Sequence, residues 1–327
     1  MTKLLFTLGV IALGLSLGYT VQRLVHADRL RLPLSLPELR RILQMVGLLG
    51  CMYVSFMATV WGIRVESLRI TVLPALGAFI LLMGGAVAVL LARAWGLSRR
   101  QTGSYFACGS FSNIGSIGGL VVFVFLGEEG FAYVPLYKLF EEIFYFAIGF
   151  PIAKGFSFAP GADRPESVLV RLRAILGDIF VAAALVSIAA GGALNLAGVE
   201  RPEVLRLLST ALVPIGTFLL LVSIGLSMKF SSVAGYRREC AALLGLKFVL
   251  LPATACLTAW LCGLGAVQDG LPLEVVLILA SMPVGFIALI PPSIYELDLN
   301  LSNACWLTST AALSVVLPAL YLLVEWM

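Results

Sequence analysis

Charged residues are scarce in this chain, and their scarcity excludes several classes of protein. Asp, Glu, Lys and Arg make up 12% of the 327 residues, while 60% of the residues are apolar. Soluble domains have roughly 25% charged and 45–50% apolar residues. A soluble globule could not cover so many apolar side chains with polar groups, whereas a lipid bilayer solvates them. The composition therefore disfavours a soluble enzyme, a nucleic-acid-binding protein and a disordered chain, and it predicts a membrane protein.

Residues that serve metal and nucleophilic chemistry are also few. The single histidine, His26, lies close to Asp28 in a charged loop, so the chain has too few histidines for a catalytic triad or a His-based zinc site. None of the six cysteines forms a CxxC pair, and nearly all lie in apolar runs, which is typical of small buried side chains. We therefore expect no enzyme activity, no metal site and no cofactor.

Long apolar runs dominate the rest of the chain. A membrane-spanning helix needs about 20 mostly apolar residues, and ten segments meet that requirement. They cover residues 4–22, 42–62, 71–95, 104–126, 131–153, 174–197, 204–228, 239–263, 273–295 and 301–324. The connections between them are short. The sequence thus predicts an all-α polytopic membrane protein with about ten transmembrane helices in one compact membrane domain.

Basic residues are distributed unevenly over the loops between these segments. Ten spans place alternate loops on opposite sides of the membrane, and the two sides then hold 15 and 5 Lys and Arg residues. Loops rich in Lys and Arg stay in the cytoplasm. We therefore expect a multi-pass protein of the cell inner (plasma) membrane with both termini outside, and we interpret the loop charges as topology determinants.

Short motifs recur at an offset of 167 residues. The matching residues are Gly96-Leu97 with Gly263-Leu264, Gln101 with Gln268, Gly103 with Gly270, Glu129 with Glu296, and Pro151 with Pro318. Two such groups of matches at one offset suggest two five-helix halves, residues 1–155 and 171–327. Because five is an odd number, the halves would insert with opposite orientations, as in many secondary transporters. Chance similarity between Gly- and Leu-rich helices is the alternative.

The fourth and ninth spans, each the fourth of its half, contain residues that weaken or break helices. Span four has several glycines and the polar residue Asn113 at mid-membrane depth, and span nine contains Pro283. Proline removes a backbone donor and clashes with the preceding turn, so we expect span nine to break or kink. Backbone groups freed by a break must face protein, water or a ligand. Half-helices that begin at a break present N–H groups and a positive dipole end, which attract anions.

Interrupted spans at corresponding positions are the best indication in a sequence of a transporter binding site. The predicted substrate-binding residues are Asn113, Gly115, Ser116, Gly118, Gly119, Met282, Pro283, Val284 and Gly285. The alternative for span four is a seam of small residues that lets helices pack closely.

Charged residues within the predicted spans are candidates for coupling and charge balance. A charge at the bilayer centre costs roughly 3 kcal/mol on insertion scales, so such residues are rare and usually functional. Glu141 and Glu142 lie near the middle of span five, and a carboxyl group in a low-dielectric site readily carries a proton. An ion pair with Lys138, three or four residues earlier, is the structural alternative. Lys247 could balance a glutamate or a substrate carboxylate, or extend to the cytoplasmic end of its helix. Asp178 fits an interfacial or capping residue better.

Several motifs resemble the auxin efflux carrier (AEC) family of transporters, in its bacterial type. They are Asn113-Ile-Gly115-Ser-Ile-Gly118 with Gly127-Glu-Glu-Gly130 in the first half, and Val213-Pro214-Ile-Gly, Lys247 with Leu251-Pro252, Ala280-Ser-Met-Pro283-Val-Gly285, Tyr295-Glu-Leu-Asp and Leu317-Pro318 in the second. The likeness covers most of the chain. The family usually has a proline seven residues after the Asn, where this chain has Leu120. We therefore expect the first break to depend on Gly118 and Gly119.

The resemblance implies a fold and a function. The fold would have ten helices in two inverted five-helix repeats with crossed, interrupted helices four and nine, arranged as a scaffold and a transport domain, and a homodimer is expected. The function would be alternating-access transport of a small organic anion, since bacterial relatives are linked to dicarboxylates such as malate or malonate and plant relatives to auxin. Asn113 and the residues around Pro283 would contact the substrate. Coupling to H⁺ through Glu141 or Glu142 is our leading expectation.

Two other functions stay open at this point. A sodium-coupled symporter of the bile-acid type shares the inverted-repeat plan and would hold Na⁺ through oxygens such as those of Asn113, Ser110 and Ser112, although span nine has no acid near Pro283. A non-transporting membrane sensor would bind a ligand on the same fold without moving it.

Overall fold

The protein is all-helical in the computed structural model, which describes residues 2–63, 67–157, 179–228 and 233–326. No strand occurs in those ranges, and eight of the helices are long and apolar enough to cross a membrane. This confirms the prediction of an all-α, multi-pass membrane protein. The count of ten spans stays a prediction, as do the inner membrane and the external termini. Asp178, the start of the sixth predicted span and most of the loop 154–172 lie outside the described residues.

Eleven helices form the main elements of the described chain. They are α1 (Thr2–His26), α2 (Leu36–Trp61), α3 (Leu68–Ala94), α4 (Arg99–Ser110), α5 (Ile114–Phe131), α6 (141–155), α7 (Ile179–Leu196), α8 (Glu203–Gly225), α9 (Arg237–Leu261), α10 (Leu271–Ala280) and α11 (Leu299–Trp326). Shorter helical turns cover Val134–Tyr137, Val233–Tyr236, Leu264–Ala266, Gln268–Gly270, Phe286–Leu289 and Ile290–Ile294. All the candidate membrane spans are among the eleven, which leaves α4, α6 and α10 as the shorter main helices.

Local sequence signals determine where several helices begin and where they widen. Ser35 and Ser98 each start a helix in a capping box, with Glu38 and Gln101 as their partners, so backbone donors at the ends of α2 and α4 are satisfied. The π segments Tyr145–Gly149 in α6 and Leu246–Leu250 in α9 each end two residues before a proline. Because proline cannot donate to the preceding turn and clashes with it, a widened turn at these points relieves the conflict.

Three predicted spans are divided in the structure. Span 104–126 separates into α4 and α5 at residues 111–113, and span 273–295 separates into α10 and two short helices at residues 281–285. Span 131–153 consists of the turn Val134–Tyr137 and the helix α6. Spans 131–153 and 273–295 leave no helix long enough to cross a membrane, whereas span 104–126 still yields the long helix α5, so the described residues contain eight long apolar helices where the sequence predicts ten spans.

The first break does not lie at Gly118 and Gly119, so that expectation is wrong. Gly118 has helical angles of φ −59° and ψ −46°, and Gly119 begins the regular α-helical part of α5. A Cβ on Gly119 would lie 3.3 Å from Phe131 and 3.4 Å from Met52, so this glycine serves close packing. The chain breaks five residues earlier, where its freed backbone groups find partners in the second break. A break inside an apolar region is stable only where such partners exist.

The chain forms two compact units. The first comprises Met1–Val65, Gly115–Pro135 and Ala182–Lys229. Within it, α1 packs on α8 through two glycines: a Cβ on Gly18 would collide with the Val222 carbonyl oxygen, and a Cβ on Gly225 would collide with the Leu15 carbonyl oxygen. Such close approach of two backbones is typical of helix pairs in membranes.

The second unit comprises Glu66–Ile114, Leu136–Val181 and Phe230–Met327. Its helices α3 and α4 approach at Gly84 and Gly109, where a Cβ on either glycine would lie within 2.5 Å of the carbonyl oxygen of the other. This unit contains both breaks and all four charged candidates, Lys138, Glu141, Glu142 and Lys247. Each unit takes segments from both halves of the chain, so compactness does not test the predicted repeats 1–155 and 171–327, which stay predictions.

Candidate functional site

The two helix breaks pair with each other inside the second unit. Residues 111–113 and 281–285, called the paired breaks below, run antiparallel and form a bridge between Ser112 and Val284. The Asn113 N–H donates to the Pro283 carbonyl at 2.9 Å, and the Gly285 N–H donates to the Phe111 carbonyl at 3.0 Å. Four backbone groups that leave their helices are thereby satisfied within the apolar interior, which removes a cost of several kcal/mol for each unpaired group.

The residue types in the second break suit this pairing. Pro283 has no N–H, and because the break is not helical, this missing donor removes no intrahelical hydrogen bond. The Pro283 carbonyl accepts from the Asn113 N–H. A Cβ on Gly285 would lie 2.7 Å from the Ser112 carbonyl oxygen, so only glycine permits the two bridged segments to approach this closely. The Val284 N–H donates to Ser309 Oγ of α11 at 3.2 Å. Pro283 and Gly285 therefore both contribute to the pairing of the breaks, and substrate binding by them stays a prediction.

Lys247 reaches the first break with its side-chain nitrogen. Its side chain is fully buried, and Nζ donates to Ser112 Oγ at 2.8 Å and to the Phe111 carbonyl at 3.3 Å. The side chain therefore does not extend to the end of α9 that the sequence predicts to be cytoplasmic. An ammonium group has three donors, and these two bonds use two of them. Among the described residues, none of the carboxylates lies within ion-pair distance of Lys247 Nζ.

Lys138, Glu141 and Glu142 form an ion cluster on the segment that leads into α6. Lys138 Nζ lies 3.2 Å from Glu141 Oε2 and 3.6 Å from Glu142 Oε1. The two neighbouring glutamates differ in environment, since 4% of the Glu141 side chain is exposed and 24% of the Glu142 side chain. This is the ion pair that sequence analysis gives as the structural alternative. The cluster does not end there, because Glu141 has a further partner.

Tyr145 connects the ion cluster to the paired breaks. Its hydroxyl group lies 2.5 Å from Glu141 Oε1 and 3.2 Å from the Ser112 carbonyl oxygen. The ring packs edge-on against Phe111, with ring centroids 4.6 Å apart. A continuous set of polar contacts thus runs from Lys138 through Glu141, Tyr145 and Ser112 to Lys247.

Sequence reasoning missed Tyr145 and Ser309. Tyr145 follows Glu141 by four residues, the spacing that places two side chains on one helix face, so a search for polar partners of the intramembrane glutamates would have found it. Ser309 lies in a run of Thr and Ser in the last span, and its contact with Val284 follows from tertiary packing alone.

The remaining predicted binding residues differ in their surroundings. Met282 and Val284 are fully buried in the second unit beside Pro283. Gly115, Ser116, Gly118 and Gly119 belong to the first turns of α5, in the first unit. There the Ser116 carbonyl accepts from Thr217 Oγ1 of α8 at 3.4 Å, and Gly119 lies against Met52 and Phe131, as described above. Packing, the alternative for span four, therefore accounts for Gly119, whereas Asn113 belongs to the paired breaks.

Comparisons with known proteins add no family to this geometry. Neither the protein-family models nor the curated proteins compared with this chain match it. The resemblance to the auxin efflux carrier family consequently stays a prediction from short motifs. The function has to be argued from the paired breaks and from the charges that reach them.

Proposed function

We propose that this chain is a secondary transporter that carries a small organic anion across the membrane by alternating access. The observation that supports it most is Lys247, a fully buried ammonium group that donates to the first break and has no carboxylate partner among the described residues. A buried charge is costly unless a counter-charge and hydrogen bonds compensate it. A carboxylate of the substrate would supply the counter-charge and accept the third N–H of the ammonium group.

The proposed binding site is the set of polar groups at the paired breaks. Lys247 supplies the charge and Asn113 an amide, while Met282, Pro283, Val284 and Gly285 form the wall from the second break. Gly115 and Ser116, with Gly118 and Gly119, follow Asn113 directly in the chain and stay candidates. Discontinuous helices whose ends face the membrane interior are the usual binding elements of secondary transporters, because the freed backbone groups can serve a ligand there.

Helix positions support the proposed inverted repeat. When the offset of 167 residues is added, the range of α2, Leu36–Trp61, corresponds to residues 203–228, and α8 covers Glu203–Gly225 of that range. The same offset carries Leu68–Ala94 onto residues 235–261, where α9 covers Arg237–Leu261. Equivalent helices also share a unit, since α2 and α8 belong to the first unit and α3 and α9 to the second. Ten spans in two five-helix repeats, with the short α4, α6 and α10 contributing to three of them, fit these positions.

We also propose that the protein is related to the auxin efflux carrier family. The resemblance implies a scaffold and a transport domain, and the two compact units are consistent with such a division. The proposed substrate class, small carboxylates such as malate or malonate, follows from the same resemblance. A homodimer and both termini outside the cell stay expectations of that kind, and we expect transport without enzyme activity.

Proton coupling is favoured over sodium coupling by the contacts of the first break. A sodium ion would need carbonyl and hydroxyl oxygens there, but Lys247 Nζ already binds the Phe111 carbonyl and Ser112 Oγ. Glu141, buried and hydrogen-bonded to Tyr145, offers a carboxyl group that can take up a proton. We therefore infer H⁺ as the coupling ion, and a transport rate that is independent of Na⁺ would agree with this.

Uptake by the purified full-length chain in liposomes tests the proposal. Radiolabelled malate and malonate are supplied outside, with and without an inward pH gradient and with Na⁺ replaced by K⁺. Saturable uptake above that of empty liposomes is expected, with a response to pH and none to Na⁺. Binding of the same acids without any uptake would instead identify a membrane sensor, and uptake that requires Na⁺ would identify the symporter of the bile-acid type.

A further inference from the structure

The hydroxyl group of Tyr145 lies between two acceptors that compete for one hydrogen. Its oxygen is 2.5 Å from Glu141 Oε1 and 3.2 Å from the Ser112 carbonyl oxygen. A phenol has a single O–H to donate, although its oxygen can also accept. Tyr145 therefore cannot donate to both groups at once. Which group receives the hydrogen depends on whether Glu141 carries a proton.

Two hydrogen-bond arrangements follow from the two states of Glu141. An ionised carboxylate only accepts, and bonds to it are stronger than bonds to a neutral carbonyl, so Tyr145 then donates to Glu141 and leaves the Ser112 carbonyl. A protonated carboxyl group donates its own O–H to the Tyr145 oxygen, which frees the phenol hydrogen for the Ser112 carbonyl. The change takes one proton from water, forms one O–H bond at Glu141, and is reversed when that proton returns to water.

We propose that Tyr145 is a positioning residue that transmits the protonation state of Glu141 to the paired breaks. The transmitted signal is the hydrogen bond to the Ser112 carbonyl, a backbone group that has left its helix and needs a donor in the apolar interior. A proton on Glu141 lets Tyr145 satisfy this carbonyl, and loss of the proton frees the carbonyl for another donor such as water. The role in transport rests on the proposed function; the hydrogen-bond exchange itself does not.

Ser112 makes this exchange relevant to the anion site, because it also holds Lys247. Its Oγ accepts from Lys247 Nζ at 2.8 Å, while its carbonyl accepts from Tyr145. One residue therefore joins the group that takes up a proton to the group proposed to bind the anion. Binding at one of them is expected to change affinity at the other, and by linkage the effect is reciprocal.

The charged and titratable groups near Glu141 come from its own segment and from the helices that pack on that segment. On the segment itself these are Lys138, Glu142, Tyr137 and Tyr145. From α3, residues 73–92 contain no titratable side chain. From α4, which packs on the end of α6, these are Arg99, Arg100, Tyr105 and Cys108; Arg99 donates to the Gly155 carbonyl and Tyr105 to the Glu239 carbonyl. From α9, Lys247 reaches the network through Ser112, and Cys256 lies near Tyr137. Lys138 is the one cation in direct contact with Glu141 among the described residues.

The variant Tyr145→Phe removes the hydroxyl group and keeps the ring that packs on Phe111, so the fold should be retained. Glu141→Gln removes the titrating group. Tyr137→Phe is the matched control, because the Tyr137 hydroxyl is buried on the same segment and has no hydrogen-bond partner in the described structure. All variants are made in the full chain and reconstituted into liposomes.

Infrared difference spectra between acidic and mildly alkaline buffer test the exchange without any substrate. The wild type should show a protonated-carboxyl band that is absent in Glu141→Gln, shifted in Tyr145→Phe and unchanged in Tyr137→Phe. A band that Glu141→Gln leaves in place, or that Tyr145→Phe leaves unshifted, would overturn the inference.

Malate uptake provides the second measurement. The ratio of the uptake rate in acidic buffer to that in alkaline buffer should be about fivefold closer to one in Tyr145→Phe than in the wild type, which is the effect of losing one net hydrogen bond. Tyr137→Phe should keep the wild-type ratio. A pH profile of Tyr145→Phe identical to that of the wild type contradicts the inference. The expected infrared bands without any malate uptake by the wild type would support the exchange and overturn the transport function.

Discussion

Lys247 donates a hydrogen bond from Nζ to Ser112 Oγ across 2.8 Å, which ties α9 to the first of the paired breaks. The bond places the fully buried amino group of Lys247 beside backbone groups that have left their helices. A buried ammonium group without a carboxylate partner in the described chain is unfavourable for stability. Its presence at the paired breaks is best explained by a ligand that brings the negative charge.

Ser112→Ala should destabilise the protein by removing an acceptor of this ammonium group. Hydrogen bonds to charged groups contribute about 1.5–3 kcal/mol, and the Phe111 carbonyl would be left as the acceptor. We expect a lower melting temperature in detergent and weaker anion binding.

Ser104→Ala is the matched control for this change. Ser104 is fully buried in α4, in the same unit, and its Oγ has no partner in the described structure. Its removal should leave the melting temperature unchanged or raise it. Equal destabilisation by both variants would mean that the Lys247–Ser112 bond contributes nothing specific.

Gly285→Ala should force the paired breaks apart. The new Cβ would lie 2.7 Å from the Ser112 carbonyl oxygen and 3.0 Å from its carbon, a backbone clash that no side-chain movement relieves. Overpacking of this kind typically costs about 1–3 kcal/mol. Thermal unfolding should show the loss, together with reduced uptake.

Gly245→Ala provides the comparison for that clash. A Cβ on Gly245, in the helical part of α9, would meet nothing within 4 Å, so alanine should be neutral or raise stability by up to about 1 kcal/mol. A Gly285→Ala protein as stable as Gly245→Ala would contradict the described approach of the two breaks.

Asn113→Ala should abolish uptake while largely preserving stability. The bridge uses the backbone N–H of Asn113, which donates to Pro283 and is kept in the variant. Only the side-chain amide is lost, and the proposal assigns that amide to the substrate. Flux assays and thermal unfolding on the same preparation separate the two effects. Collapse of the fold would instead indicate that Asn113 has a packing role.

The sequence predicts some parts of this site because their physical signal is local. Proline weakens a helix interior and a charge in a membrane helix is costly, so Pro283, Glu141 and Lys247 are recognisable without a structure. The signal of proline is not sufficient by itself, since Pro214 and Pro318 lie inside the continuous helices α8 and α11. Glycines close to a break are equally visible, which explains why Gly285 is predicted.

Other parts depend on tertiary contacts and leave no such signal. The break at residues 111–113 contains neither Gly nor Pro, and it is stable because the second break supplies its backbone partners. Tyr145 and Ser309 are common residues whose roles follow from the register between helices. Gly118 and Gly119 are predicted from the sequence to break the helix, yet both of them lie in α5.

Malate uptake by a Lys247→Met variant tests the central claim most directly. Methionine keeps much of the apolar stem and removes the ammonium group, and Lys3→Met is the matched control because Lys3 donates to the Phe125 carbonyl in the first unit. Lys247→Met should lose saturable uptake while remaining folded, and Lys3→Met should retain it. A folded Lys247→Met protein that takes up malate at the wild-type rate would contradict the assignment of the paired breaks as the anion site.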